Sequence, residues 1–294
     1  MRAYAHDVYT YPLPPGHKFP LGKYRLVREG AQRVPEMTVE TARAATTDEL
    51  LLAHEPDYVA SMDAGEIARR DVLALGLPWS PELIERARRS VGATIMATDA
   101  ALSYGVAANL GGGTHHAFPH SGRGFCVYND VVVAIRAAQQ AGAIVRALVV
   151  DLDVHQGDGT HFALDGDDSA FTFSINGFGN YPFQRVPGDL ESDLPNGTGD
   201  AAYLAELKHL LPRAIKRSQP DICYYLAGAD PYKHDRLGRL SLTKTGLARR
   251  DEIVRSALID SGVPVVVALA GGYAEPIEDT VEINLATLRH FAQA

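Results

Sequence analysis

Residues 148–160 read LVVDLDVHQGDGT. An apolar run ends in Asp151, Asp153, His155 and Asp158, three acids and one histidine inside eight positions. On an extended chain, the alternate spacing of Asp151, Asp153 and His155 turns their side chains to one face. A strand built for burial does not gather two carboxylates and an imidazole on one face unless something neutralises them, because unpaired buried charge is expensive. A divalent cation would do so, and oxygen plus imidazole donors suit zinc or another first-row ion. An exposed strand end, or a hydrogen-bonded network, would also accommodate the pattern.

The apolar half of this stretch sets the expected fold. AANL (107–110), ALVVDLDV (147–154), AFTFSIN (170–176), DICYYLAG (221–228) and PVVVALAGG (264–272) read as strands. Their continuous apolarity, without strict alternation, points to strands covered on both faces, as in a parallel sheet. Helical segments lie between them. In 80–105, Ser80 is a candidate N-cap, Pro81 a first helical residue, and Gly105 a stop. Further helices are expected at 129–142, 199–218, 245–261 and 277–292, with Pro212 expected to kink or split the second of these. Segments 9–22 and 177–199, rich in Gly and Pro, are expected to be rim loops. Alternating strands and helices predict an α/β fold: one three-layer domain over 1–294, a mostly parallel sheet between helices.

Composition narrows the function classes. A formal net charge of −8 argues against a broad grip on nucleic acid or an anionic membrane. Two cysteines, Cys126 and Cys223, imply no disulfide framework and fit a reducing, cytoplasmic setting. The first residues lack an apolar signal core, and no run reaches membrane-spanning length.

Other strand ends carry chemistry too. LGGGTHHAF places adjacent His115 and His116 after a triple-glycine turn, where imidazoles can serve as base and acid near neutral pH. YLAGAD ends in Asp230, which reads either as a third metal ligand or as a helix N-cap. LAGGYAE ends in Tyr273, by itself most simply a packed tyrosine. All four groups lie past the carboxyl ends of expected strands, the edge where open α/β sheets bind ligands. Three protein ligands would leave a zinc position open, the catalytic pattern.

GGGTHHAFPHSGRGFCVYND (111–130), DLDVHQGDG (151–159), AGADPYKHDRLGRLSLT (227–243) and AGGY (270–273), in this order, resemble the zinc-dependent histone deacetylases of the arginase/deacetylase superfamily and their bacterial relatives. HKFPLGKYRLVRE (17–29) and RSVGATIMA (89–97) resemble the class IV branch. The resemblance implies a metal-dependent amide hydrolase whose ligands are Asp153, His155 and Asp230. It pairs His115 with Asp151 and His116 with Asp158, making His116 the general base and acid and His115 its electrostatic helper. Tyr273 resembles the hydroxyl that polarises the scissile carbonyl, while Gly124, Phe125 and Tyr181 match the substrate tunnel. Arg25 resembles an arginine of an internal product channel, and Asp151, Asp153, His155, Ser174 and Ile175 match a structural potassium site. The implied cofactor is zinc, with iron(II) as its alternative.

The chain departs from the class I pattern at Gln156, where a second histidine is usual, and at Ala270, where glycine is frequent. Asp71 is the one candidate for a rim aspartate that grips substrate backbone. The implied substrate is an acyl-lysine peptide or protein, with an acetylated small amine such as an acetylpolyamine as the alternative. An arginase-like two-metal ureohydrolase and a non-enzymatic binding module are the rivals, and self-association is left open.

Overall fold

Strands that are apolar at both odd and even positions need cover on two sides, and the fold supplies it. A computed structural model describes residues 1–8 and 10–293. Its strands are β1 (Arg2–Ala5), β2 (Thr38–Thr41), β3 (Val106–Asn109), β4 (Ala147–Asp151), β5 (Ala170–Gly177), β6 (Leu190–Leu194), β7 (Ile222–Leu226) and β8 (Val265–Ala268). Its helices are α1 (Gly22–Ala31), α2 (Thr47–Leu50), α3 (Pro56–Ala64), α4 (Arg69–Leu75), α5 (Pro81–Tyr104), α6 (Asp130–Gln140), α7 (Asp158–Ala163), α8 (Asp200–Ser218), α9 (Lys244–Asp260) and α10 (Ile277–Ala292). The strands form one sheet in the order β2-β1-β3-β8-β7-β4-β5-β6. Every pairing is parallel.

Alternate residues of each central strand enter opposite cores. Leu148 and Val150 of β4, Tyr225 of β7 and Val265 of β8 pack under α1, α8, α9 and α10. Val149, Tyr224 and Val266 pack under α5 and α6. Each fully buried aliphatic side chain contributes roughly 1.5–3 kcal/mol, so the runs of valine and leucine fix the layers. No helix among the described residues is long and apolar enough to cross a membrane.

The N-terminus of α5 forms as expected: Ser80 Oγ accepts from the Leu83 N–H at 3.1 Å, with Pro81 opening the helix. Gly105 ends it at φ 86°. Two expectations need correction. Segment 177–199 is not all loop, because Leu190–Leu194 pairs with β5 as an edge strand. Pro212 does not split its helix, for α8 runs from Asp200 to Ser218 as one element. Pro212 and Lys208 are both exposed, so the carbonyl that loses its helical donor faces solvent.

Candidate active site

The carboxyl ends of β3, β8, β7 and β4, four neighbouring strands, carry the chemically reactive side chains. β4 ends at Asp151, and alternation continues beyond it. Leu152 and Val154 turn into the core, both fully buried, while Asp151, Asp153 and His155 turn to the site. Backbone amides then fix the carboxylates. Asp151 Oδ1 accepts from the Asp153 N–H (3.1 Å), Asp153 Oδ1 from the His155 N–H (2.9 Å), and Asp153 Oδ2 from the Gly271 N–H (2.7 Å). Asp230, four residues past β7, accepts from the Val154 N–H at 2.9 Å through Oδ1.

Asp153, His155 and Asp230 converge, with one donor atom from each lying within 4.8 Å of the others. His155 Nδ1 is 3.0 Å from Asp153 Oδ1 and 3.2 Å from Asp230 Oδ2. Burial opposes charge on this imidazole, but the two carboxylates beside it raise it to about 10. Burial also raises Asp230, to about 7, with the Asp153 charge adding to the rise. Burial works against the Asp153 anion as well, yet His115 and His155 hold it well below the usual carboxylate range. Asp230 Oδ2 is buried and accepts no hydrogen bond of good geometry, the 3.2 Å approach of His155 Nδ1 being an ion-pair contact only. A carboxylate oxygen so poorly satisfied, beside a second carboxylate and an imidazole, is part of a donor set that fits a divalent cation. Gly271 permits the close approach: a Cβ there would collide with Asp230 Oδ2 and lie 2.6 Å from Asp153 Oδ2.

The tandem histidines lie in the loop after β3, each backed by a carboxylate. His115 Nδ1 donates to Asp151 Oδ2 at 2.7 Å, and His116 Nδ1 donates to Asp158 Oδ1 at 2.6 Å. Burial depresses both rings, but they end far apart. Asp151, with Asp153 4.0 Å away, raises His115 to about 9. For His116, burial and the neighbouring His115 outweigh Asp158, and it falls to about 4. The two touching rings are thus driven in opposite directions, His115 toward its charged form and His116 toward its neutral form. Their loop is held by Asp130, fully buried at the start of α6, which accepts from the Gly113 and Thr114 N–H groups at 3.0 and 2.7 Å. Gly113, at φ 81°, lies against the Cβ of Ala270, so a side chain there would both strain the backbone and clash.

Asp153, His155 and the two histidines His115 and His116 line a pocket of about 420 Å³. At its mouth are Phe183, 87 % exposed, and exposed Arg239; farther in lie Gly124, Phe125, Tyr181 and Tyr273; at the inner end are His6, Tyr24 and Arg86. Tyr181 stands edge-on to His116 with ring centroids 4.9 Å apart. Gly124 borders His116 closely, a Cβ there falling 2.6 Å from its Cδ2. Phe125 has φ 68°, a strained value for an aromatic residue, and its N–H is clamped to the Leu75 carbonyl at 2.8 Å. Burial pushes the Tyr273 phenol well above its ordinary value, leaving it a neutral donor. Ser174, fully buried, is the register partner of Asp151 across β4 and β5, and Ile175 follows it.

Two expected residues fall elsewhere. Arg25 points outward, its side chain 58 % exposed and paired with Glu29 at 3.0 Å, so it lines no internal channel. Lys23, two residues earlier, faces inward and donates to the carbonyls of Ala270 (3.2 Å) and Gly272 (3.3 Å). Asp71 pairs with Arg70 and borders a separate hollow beside Tyr58 and His120. Sequence reading passed over several supports. Asp235 accepts from the Tyr273 N–H at 2.6 Å, and fully buried Arg250 donates to the Gly228 carbonyl at 2.6 Å. Gln156 bridges Val186 (3.0 Å) and Glu191 (2.8 Å), tying the ligand loop to the β6 edge. The substitution of an amide for the usual histidine therefore has a structural use.

Comparison with known proteins gives a consistent picture. Residues 17–288 match the model of the histone deacetylase domain. An uncharacterized protein of Picosynechococcus sp. is 42 % identical over 280 residues, covering 94 % of this chain and 93 % of that one. Histone deacetylase 2 of Arabidopsis thaliana is 31 % identical over 257 residues, covering 83 % of this chain and 66 % of that protein. The fold matches a crystal structure of an HDAC homolog complexed with SAHA at a TM-score of 0.85, with 24 % identity, over 98 % of this chain and 83 % of that one.

Proposed function

The chain belongs to the histone deacetylase family, hydrolases of amide bonds, and on that premise we propose that it removes acetyl or longer acyl groups from lysine side chains of peptides or proteins. The observation that carries this reading is the convergence of Asp153, His155 and Asp230 beside two carboxylate-backed imidazoles on one pocket. We assign those three residues to zinc, the same donors also being compatible with iron(II). Bound zinc supplies Lewis acidity to the carbonyl oxygen and lowers the pKa of water toward neutrality. His116, its Nδ1 engaged by Asp158, has Nε2 available to accept a proton from the attacking water and return it to the leaving amine. His115 holds positive charge beside it. The Tyr273 hydroxyl donates to the oxyanion that develops on the carbonyl. Phe125 and Tyr181 wall the space for the alkyl chain. With Arg25 facing solvent, we assign the product path to the inner end lined by His6, Tyr24 and Arg86. Asp151, Asp153, His155, Ser174 and Ile175 are assigned to a structural potassium ion, a reading supported by the Asp151–Ser174 register.

Acyl-lysine is favoured over acetylpolyamine by the pocket's charge. Asp153 is the one carboxylate among its described lining residues, whereas Arg239 stands at the mouth. A polycation would meet a positive rim, and the one lining carboxylate, Asp153, is assigned to the metal. One group of three convergent ligands among the described residues supports a single-metal hydrolase over a two-metal ureohydrolase.

The test is hydrolysis of a panel of acyl-lysine peptides and acetylpolyamines, with and without chelator, by wild type and Tyr273→Phe. Chelator-sensitive release of acylate is expected. The variant should melt like wild type while kcat falls by roughly 10²–10³, the usual effect of losing one oxyanion donor. Turnover that ignores the chelator, or a fully active Tyr273→Phe, would overturn the assignment.

A further inference from the structure

The mouth of the pocket carries a charge that the chemistry inside it does not use. Arg239 is exposed, lines the pocket, and its guanidinium has no acidic partner among the described residues. Neighbouring arginines differ: Arg236 pairs with Glu275 (3.4 Å) and Arg185 with Asp193 (3.6 Å). The backbone of Arg239 is nevertheless firmly placed. Its N–H donates to Asn180 Oδ1 (3.2 Å), its carbonyl accepts from the Gly197 N–H (2.8 Å), and Asn180 Nδ2 donates to the Leu237 carbonyl (2.9 Å). Asn180 is only 3 % exposed. A buried amide thus staples the loop of Arg239 to the loop that presents Tyr181 and Phe183. The rest of the rim (Phe125, Tyr181, Phe183 and Leu237) offers no opposite charge.

We propose that Arg239 is a specificity-determining residue that recognises a carboxylate on the substrate, close to the acylated amine. This inference rests on the amide-hydrolase reading. An extended peptide advances about 3.3–3.6 Å per residue, so a rim guanidinium reaches side chains one or two positions from the acyl-lysine. The same chemistry could come from an acidic neighbour in a peptide or from the α-carboxylate of free Nε-acetyl-lysine. An exposed ion pair is modest and screened by salt, so the preference should be roughly 2–5-fold and fade at high ionic strength.

The experiment measures kcat/KM at low salt for peptides identical except for Asp, Asn or Lys beside the acetyl-lysine. A second arm compares free Nε-acetyl-lysine with its carboxamide. Each substrate is assayed with wild type, Arg239→Ala and Arg239→Glu. The readout is the Asp-over-Lys ratio, in which the fraction of active enzyme cancels. Wild type should favour Asp, Arg239→Ala should bring the ratio close to one, and Arg239→Glu should reverse it, with changes mainly in KM. A preference confined to the free amino acid over its amide would assign the α-carboxylate as the source and equally support the proposal. A ranking that is unchanged in both variants, or a wild type that prefers Lys, overturns this inference alone. Absence of turnover on every substrate, with metal supplied, overturns the amide-hydrolase reading and this inference with it.

Discussion

One side chain type does three different jobs here because the surroundings of each ring differ. His115 and His116 touch, with centroids 4.2 Å apart, yet one is raised and the other lowered. His54 is structural. Buried at 4 % exposure, its Nδ1 donates to the Phe118 carbonyl (3.1 Å) and its Nε2 accepts from the Asn129 N–H (2.9 Å), a pattern only the neutral ring can satisfy. Burial lowers it to about 4 from the ordinary 6.5. Between those values the unfolded chain holds a proton that the native state refuses, so stability is lost as pH falls through that window. The loss attributable to this ring should reach about 3 kcal/mol. Denaturant midpoints at pH 7.5 and 4.5 should therefore separate less in His54→Gln than in wild type; equal separations would refute the assignment. The sequence revealed His115 and His116 because a glycine turn announced them. The motif that suggests Arg25 for an inner channel carries no helical phase, and the phase of α1 turns Arg25 to solvent. Lys23, Val27 and Ala31 share one buried stripe of α1, and Arg25 lies two residues out of step with it.

At the scale of elements, the legible strands were those apolar on both faces: β3, β4, β5, β7 and β8. The edge strands β2 (TVET) and β6 (LESDL) carry polar residues along partly exposed ladders, so β6 reads as loop and β2 gives no strand signal. Edges are kept polar to discourage pairing with other chains, which is also why they leave little trace in sequence. The ligand loops were legible as residues but not as a cradle, since the contacts that make one, such as Gly271 against Asp230, link distant segments. That contact is testable. Gly271→Ala should leave β8 intact but lower metal affinity by roughly 10–100-fold, the usual consequence of disturbing a ligand's support. Chelator competition measures it, and wild-type affinity in the variant would refute the close-approach argument.

For the whole molecule, a bound cation would join loops from β4 and β7, whose ligands are otherwise held together by His155, a few amides and the buried Arg250 that bridges the Leu152 and Gly228 carbonyls. Occupancy should stabilise the native state by about 2.7 kcal/mol at a hundredfold excess over Kd, roughly 5 °C in melting temperature for a chain of this length. Thermal melts before and after chelation and zinc return report this directly, and coincident melts would contradict a shared site. The order of the sheet has a further consequence, for how the molecule is made. β8 is the last strand of this sequence to be synthesised, yet it lies between β3 and β7. Until Val265–Ala268 has left the ribosome, the earlier strands can form only two part-sheets, each with an apolar inner edge open to the wrong partner. Insertion of this one strand closes both edges at once and brings Gly271 to Asp153. A nascent or truncated chain is therefore inert until its final seam is sewn.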